Sequence, residues 1–122
     1  MKPETTYLLL YVEDTRRSRD FYADLFGLQA IEASEGFVLF ILDGGLRLGL
    51  WARRAVTPAA GMTGGGTELA LAVGEAAAVD TLHADWASRG LPILQPPATL
   101  EFGRTFVAAD PDGHRLRIFA PG

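Results

Sequence analysis

Cysteine is the residue type that this 122-residue chain lacks altogether. Its absence excludes disulfide bonds, thiol catalysis and thiolate metal sites. Long apolar runs are missing too, because the longest, residues 8–12, is far shorter than the roughly 20 residues that a membrane span needs. Residues 1–6 have no apolar stretch of the kind found in a secretory signal. We therefore expect a soluble, cytoplasmic domain that does not act on membranes.

Positive charge is also scarce. Eleven lysines and arginines stand against fifteen aspartates and glutamates, which gives a net charge of −4 and argues against a nucleic-acid partner. Hydrophobic residues make up 48% of the chain and charged residues 21%, an ordinary composition for one globular domain of this length. The composition leaves a small molecule or another protein as the expected partner.

The first half of the chain has a clear order of predicted elements. Apolar patterning predicts a strand, a helix and three further strands, at 6–12, 13–27, 28–33, 37–42 and 46–51. Gly27 is placed to end the helix, and the turn residues Asp43, Gly44 and Gly45 join the last two strands as a hairpin. The first half therefore reads as β-α-β-β-β.

The second half repeats that order after an aperiodic, glycine-rich connector at 52–66. The predicted elements are a strand, a helix, a short strand, a break and two strands, at 68–73, 76–89, 91–94, 95–97, 104–108 and 115–119. Val12 corresponds to Val73 at an offset of 61 residues, and Trp51 to Phe119 at an offset of 68. Such a repeat predicts an α+β fold of two βαβββ modules, about 5–51 and 67–120, within one domain spanning 1–122.

Two motifs carry a resemblance to a known family. The stretch 11–14 (Tyr-Val-Glu-Asp), followed by 17–22 and 25–28, resembles the opening of the vicinal oxygen chelate superfamily, the glyoxalase, bleomycin-resistance and extradiol-dioxygenase group. The closing stretch 109–116 resembles its second signature. The resemblance implies that the modules form a curled mixed sheet around a cavity. It also implies a homodimer, with or without exchanged modules.

The resemblance also indicates where metal-dependent members hold their ligands, on the first and last strand of each module. Those four positions here are Tyr7, Gly49, Glu68 and Arg117. Only Glu68 is an ordinary metal ligand, and Arg117 places a cation where a donor is needed. We therefore expect a member without metal or other cofactor. Of the two histidines, His83 is expected to pack on a helix face and His114 to lie at the surface of a turn.

The stretches 48–51, 102–106 and 110–114 further resemble the metal-free branch that includes phenazine-antibiotic resistance. This resemblance predicts a planar aromatic ligand that stacks on aromatic side chains, is oriented by polar ones and lies over the space at a glycine. The expected ligand-binding residues are Trp51, Phe40, Phe102, Tyr7, Glu68, Arg117 and Gly49.

Three functions stay open on the sequence. The first is a binding protein that sequesters a planar aromatic drug or metabolite, with no catalytic residue. The second is a glyoxalase- or dioxygenase-type lyase or isomerase, using a metal or a Glu68/Tyr7 acid–base pair. The third is a dimeric partner protein with an empty cavity. Because three of the four ligand positions lack a usual donor, binding is favoured over catalysis.

Overall fold

The computed structural model describes all 122 residues, which form two compact units, 1–64 and 65–122. The first contains β1 (Tyr7–Val12), α1 (Thr15–Phe26), β2 (Glu32–Ala33), β3 (Phe37–Ile41), β4 (Arg47–Ala52) and a 3-10 turn (Arg53–Ala55). The second contains β5 (Glu68–Ala72), α2 (Ala76–Ser88), β6 (Ile93–Leu100), β7 (Gly103–Ala109) and β8 (Arg115–Pro121). The repeated order confirms the two predicted βαβββ modules. Neither helix has the length and apolar character needed to cross a membrane.

The first unit is a four-stranded mixed sheet with α1 packed on one face. Its strand order is β1-β4-β3-β2, in which β1 runs parallel to β4 and the other pairs are antiparallel. The carboxylate of Asp14 accepts the backbone N–H groups of Arg16 and Arg17, which caps the start of α1. Gly27 ends the helix in the left-handed conformation, at a φ of +65°, as its position predicts.

Alternation along the strands divides the side chains of this sheet between two faces. The face that packs under α1 is apolar and buried, and includes Leu10, Val12, Val38, Phe40, Leu48 and Leu50. The opposite face, here named the first helix-free face, carries Tyr7, Leu9, Phe37, Gly49 and Trp51, because register sets Leu9 beside Gly49 and Phe37 beside Trp51.

The second unit has the same topology, with strand order β5-β8-β7-β6 and β5 parallel to β8. Its core lies between α2 and the sheet, where the Trp86 and Phe106 rings meet edge to face at 5.3 Å. Leu116 and Ile118 of β8 are buried on the same side. The opposite side, the second helix-free face, therefore carries Arg115, Arg117 and Phe119 from β8, together with their neighbours in register.

Both edge strands that follow the helices differ from the prediction. Strand β2 is only two residues long instead of covering 28–33. Strand β6 continues to Leu100 through Pro96 and Pro97, where a break was predicted. Its register with β7 shifts on either side of Gln95. Prolines are tolerated there because β6 lies at the sheet edge and its irregular pairing leaves them out of the hydrogen-bonded ladder.

Candidate functional site

The polar centre of the second helix-free face is Arg117. Its Nε donates to Glu68 Oε1 at 2.6 Å, and its Nη2 lies 3.4 Å from Glu68 Oε2. Glu68 and Arg117 therefore form an ion pair within this unit. The two side chains keep 18% and 32% of their surface exposed. The pair is thus shielded from solvent without being fully buried.

Two further side chains hold the same guanidinium. Arg117 Nη1 donates to Thr105 Oγ1 at 3.2 Å and to Gln95 Oε1 at 3.4 Å. The Thr105 hydroxyl is itself anchored, because it donates to the backbone carbonyl of Ile118 at 2.8 Å. Three side chains from three different strands thus fix the plane and position of the guanidinium.

An exposed aromatic ring lies beside this arginine. The Phe102 ring, in the turn between β6 and β7, has its centroid 5.8 Å from Arg117 Cζ, and it meets Phe119 edge to face at 6.0 Å. Phe102 is 45% exposed, a large fraction for a phenylalanine in contact with a charged group. A held guanidinium plane and an exposed ring together provide flat surfaces on which another aromatic molecule can stack.

A pocket of about 480 Å³ opens next to the Glu68 carboxylate. Its volume is within the range of small-molecule sites. The pocket is lined by Gly65, Gly66, Thr67, Glu68, Gly113 and Arg115. Half of these residues are glycines, so peptide groups line the pocket together with Thr67, Glu68 and Arg115.

On the first helix-free face the predicted residues form two aromatic contacts. Tyr7 is 52% exposed, and the Arg47 Cζ lies 5.7 Å from the centroid of its ring. Trp51 is half-buried and meets Tyr11 edge to face at 6.2 Å. Both rings present part of their surface on this face of the unit.

Two predicted ligand contacts do not fit the structure. Phe40 is fully buried under α1, on the opposite side of the sheet from Trp51, so it offers no stacking surface. The space over Gly49 is already filled, since a Cβ there would lie 2.7 Å from Leu9 Cδ2 and 2.8 Å from Phe37 Cζ. The expected opening for a flat ring over Gly49 is therefore absent within this unit.

Sequence reasoning missed Phe37, Gln95 and Thr105. The hairpin turn at 43–45 contained a usable signal for Phe37, because the register that follows from it places this ring opposite Trp51. Gln95 was missed because residues 95–97 are predicted as a break, whereas they belong to strand β6. Thr105 lies on the same face as its register partner Phe119, and only the pairing of β7 with β8 reveals this.

The structure confirms the prediction for one histidine and contradicts it for the other. The His83 ring packs edge to face against Phe106 at 5.4 Å, as predicted for a helix face. His114 is only 6% exposed, so the prediction of a surface ring is wrong. The buried carboxylate of Asp110 accepts the backbone N–H groups of Asp112 and His114, and this draws the turn inward.

The side chains at the four family ligand positions do not fit a divalent ion. Both oxygens of Glu68 face the Arg117 guanidinium, Gly49 has no donor atom, and the Tyr7 ring lies against Arg47. A cation at Glu68 would have to displace Arg117 or share the carboxylate with it. No group of three or more histidine, aspartate or glutamate side chains suited to a metal occurs elsewhere in the chain.

A separate cluster fixes the start of the connector in the first unit. Arg53 forms an ion pair with Glu13 and donates to the carbonyl of Ala60 at 3.1 Å, while Arg54 donates to the carbonyl of Glu13. The hydrogen bond from Arg53 lowers the pKa of the Glu13 carboxyl from its usual 4.5. This cluster ties residues 53–60 to the end of β1.

Comparisons with known proteins match this architecture. Residues 5–118 match the model of the Glyoxalase/Bleomycin resistance protein/Dioxygenase superfamily. The phenazine antibiotic resistance protein EhpR of Enterobacter agglomerans is 31% identical over 113 residues, covering 90% of this chain and 86% of that protein. The solution structure of ATC0852 from Agrobacterium tumefaciens is 46% identical, with a TM-score of 0.91 and 99% of each chain covered. A glyoxalase/bleomycin resistance protein/dioxygenase from Nocardioides is 26% identical, with a TM-score of 0.82 over 99% of this chain and 85% of that one.

Proposed function

Because the chain belongs to the glyoxalase/bleomycin resistance protein/dioxygenase superfamily, we propose that it is a metal-free protein that binds and sequesters a planar aromatic small molecule. The observation that carries this proposal is the exposed Phe102 ring beside the fixed Arg117 guanidinium. The similarity to a phenazine antibiotic resistance protein supports the same class of ligand, since phenazines are flat, fused-ring aromatics.

The proposed contacts follow from the geometry of each unit. The ligand ring stacks on Phe102 and on the guanidinium plane of Arg117, whose orientation Glu68 maintains. Because Glu68 neutralises Arg117, the stacking surface carries little net charge and can accept an uncharged ring. We assign Tyr7 and Trp51 as a separate aromatic surface of the first unit, while Phe40 and Gly49 have no such role.

The lyase, isomerase and dioxygenase alternative requires Glu68 as a metal ligand or as half of an acid–base pair with Tyr7. The Glu68 carboxylate is instead bound by Arg117, and the exposed Tyr7 ring lies against Arg47. Both oxygens of Glu68 face the Arg117 guanidinium, and Glu68 and Tyr7 belong to different units in which each has its own arginine partner. We therefore propose sequestration rather than catalysis.

We propose that the protein assembles as a homodimer. Several large apolar side chains are exposed, namely Tyr7, Leu9, Ile31, Ile41, Leu94 and Leu100. Three of them, Tyr7, Leu9 and Ile41, share the first helix-free face, and a contiguous exposed apolar patch is typical of protein–protein interfaces. Light scattering should report a mass near twice 13.1 kDa. A monomer at micromolar concentration contradicts the proposed assembly, and the ligand proposal does not depend on this result.

Phenazine titrations followed by tryptophan fluorescence test the ligand proposal. The affinity is read from the summed emission of Trp51 in the first unit and Trp86 in the second, so the readout requires neither ring to be at the site. Phe102→Ala should weaken phenazine binding about fivefold, because it removes one stacking ring. The matched control is Leu94→Ala, which truncates another exposed apolar side chain of the same unit and should leave the affinity unchanged.

Each outcome of this titration leads to a different conclusion about the proposed ligand site. Saturable binding that is weakened only by Phe102→Ala supports the site. Equal affinities for the wild type, Phe102→Ala and Leu94→Ala would place the ligand elsewhere. If neither phenazine nor other fused-ring aromatics bind at millimolar concentration, sequestration of planar aromatics is wrong.

A further inference from the structure

Arg115 is the one arginine of the second unit that is left without an ion-pair partner. The other three are paired, Arg89 with Asp85, Arg104 with Asp80 and Arg117 with Glu68. Arg115 lies two residues before Arg117 on β8, so both side chains are on the second helix-free face. Arg115 lines the same pocket as Glu68.

The internal repeat shows what is unusual about this arginine. Arg47 holds the equivalent position in the first unit, where β1 pairs it with Tyr7, and β5 pairs Arg115 with Glu68 in the same way. The Tyr7 ring covers Arg47 at 5.7 Å. Glu68 instead bonds to Arg117, so Arg115 has no equivalent neighbour. Of these two equivalent arginines, Arg115 is therefore the one whose guanidinium can bind a ligand.

The pocket around Arg115 suits an anionic group. Arg117 and Glu68 cancel each other's charge, so Arg115 leaves a net positive charge among these three side chains. The lining also includes Gly65 and Gly66, whose φ angles of +130° and +71° are ones that side-chain-bearing residues rarely adopt. Without side chains there, a ligand group can approach the backbone closely. A planar guanidinium matches a carboxylate through two parallel hydrogen bonds.

The Arg117 guanidinium links the two features, because it contacts the Phe102 ring at 5.8 Å and bonds to Glu68, which lines the pocket. Residues 115 and 117 are separated by about 7 Å along the strand. A ring stacked on Phe102 and Arg117 can therefore carry a substituent that reaches the pocket at Arg115. We propose that the ligand of this site is an aromatic acid, whose rings stack at Phe102 and whose carboxylate is bound by Arg115. This inference rests on the proposed function and narrows its ligand class.

Two probes that differ only in the anionic group test the inference. Phenazine and phenazine-1-carboxylate are titrated at pH 7 and low salt, where the carboxylate is ionised. The wild type should bind the carboxylate about tenfold more tightly, the ratio expected from one charge-assisted contact. Arg115→Gln should reduce this preference to less than about twofold and leave the affinity for phenazine unchanged.

The matched control is Arg104→Gln, which removes an arginine from the other face of the same sheet. It should keep the tenfold preference. This result would exclude a general loss of positive charge as the cause of the change in Arg115→Gln. Equal binding of the two probes by the wild type, or a preference that survives Arg115→Gln, overturns the aromatic-acid inference while the proposed function stands. Failure of both probes to bind overturns the proposed function and the inference with it.

Discussion

Replacing the Glu68–Arg117 pair by methionine, singly and together, measures how strongly this pair stabilises the second unit. Glu68→Met leaves the guanidinium with Thr105, Gln95 and the Phe102 ring, and Arg117→Met leaves a carboxylate that water can partly reach. Thr105 loses no essential partner in either variant, because its hydroxyl still donates to a backbone carbonyl. The cost of each single variant therefore comes mainly from the charge that remains.

The exposure of the two side chains sets the magnitude. Exposed ion pairs contribute about 0.2–1 kcal/mol, and breaking a fully buried pair costs about 3–5 kcal/mol. With 18% of Arg117 and 32% of Glu68 exposed, the pair lies between these limits. We expect each single variant to lose about 2 kcal/mol and the coupling free energy to be about 1.5 kcal/mol. The double variant should then lose clearly less than the sum of the singles.

Urea unfolding at constant protein concentration supplies the four free energies of this double-mutant cycle. The Asp80–Arg104 pair of the same unit is the matched control, since its nitrogen–oxygen distance is 2.9 Å but its side chains are 50% and 31% exposed. Its coupling should be about 0.5 kcal/mol. A Glu68–Arg117 coupling no larger than that of the control would show that solvent screens both pairs alike, and would refute the reasoning from exposure.

Three further predictions concern other parts of the chain. Gly103→Ala should destabilise by more than about 3 kcal/mol in urea unfolding, because its Cβ would lie 2.0 Å from the Ala120 carbonyl oxygen at a φ of +135°, whereas Gly36→Ala, with open space, should be nearly neutral. Asp14→Ala should lower Tm at pH 7. The backbone N–H of Arg17 lowers the pKa of Asp14 below 3.8 in the folded state, so the stabilisation is fully present above pH 3.8. The difference in Tm between the wild type and Asp14→Ala should vanish as the pH falls through the lowered pKa. A difference in Tm that persists in acid would contradict this cause. Zn²⁺, Ni²⁺ or Mn²⁺ should leave Tm unchanged, and a specific stoichiometric rise abolished by Glu68→Gln would overturn the metal-free proposal.

The features of the fold that could be predicted are those determined by neighbouring residues. Helix α1 could be delimited because Asp14 and Gly27 act on adjacent backbone groups, and the first hairpin because its turn residues favour a reversal. The lengths of β2 and β6 could not be predicted in this way. An edge strand extends as far as its neighbour pairs with it, and that pairing depends on the sheet rather than on the prolines within the strand.

The candidate site was predictable where the repeat supplied the geometry. The offsets between the halves assign Glu68 and Arg117 to adjacent strands of one face, and their hydrogen bonds confirm the contact. The assignment of Phe40 as a ligand contact is wrong because the alternation of β3 places its side chain under α1. Counting from the hairpin pairs it with Leu48, whose side chain is fully buried under α1.

The two halves of the chain differ most on the helix-free faces of their sheets. Leu48 and Leu116 hold equivalent positions, and both are fully buried under their helices. At the equivalent positions of the helix-free faces, Gly49 is covered by apolar side chains, while Arg117 requires a carboxylate and two polar neighbours. Keeping such a polar cluster costs desolvation that an apolar pair would avoid. The chain incurs this cost on one face only, beside an exposed ring and an open pocket, and this supports the proposal that the second helix-free face binds the ligand.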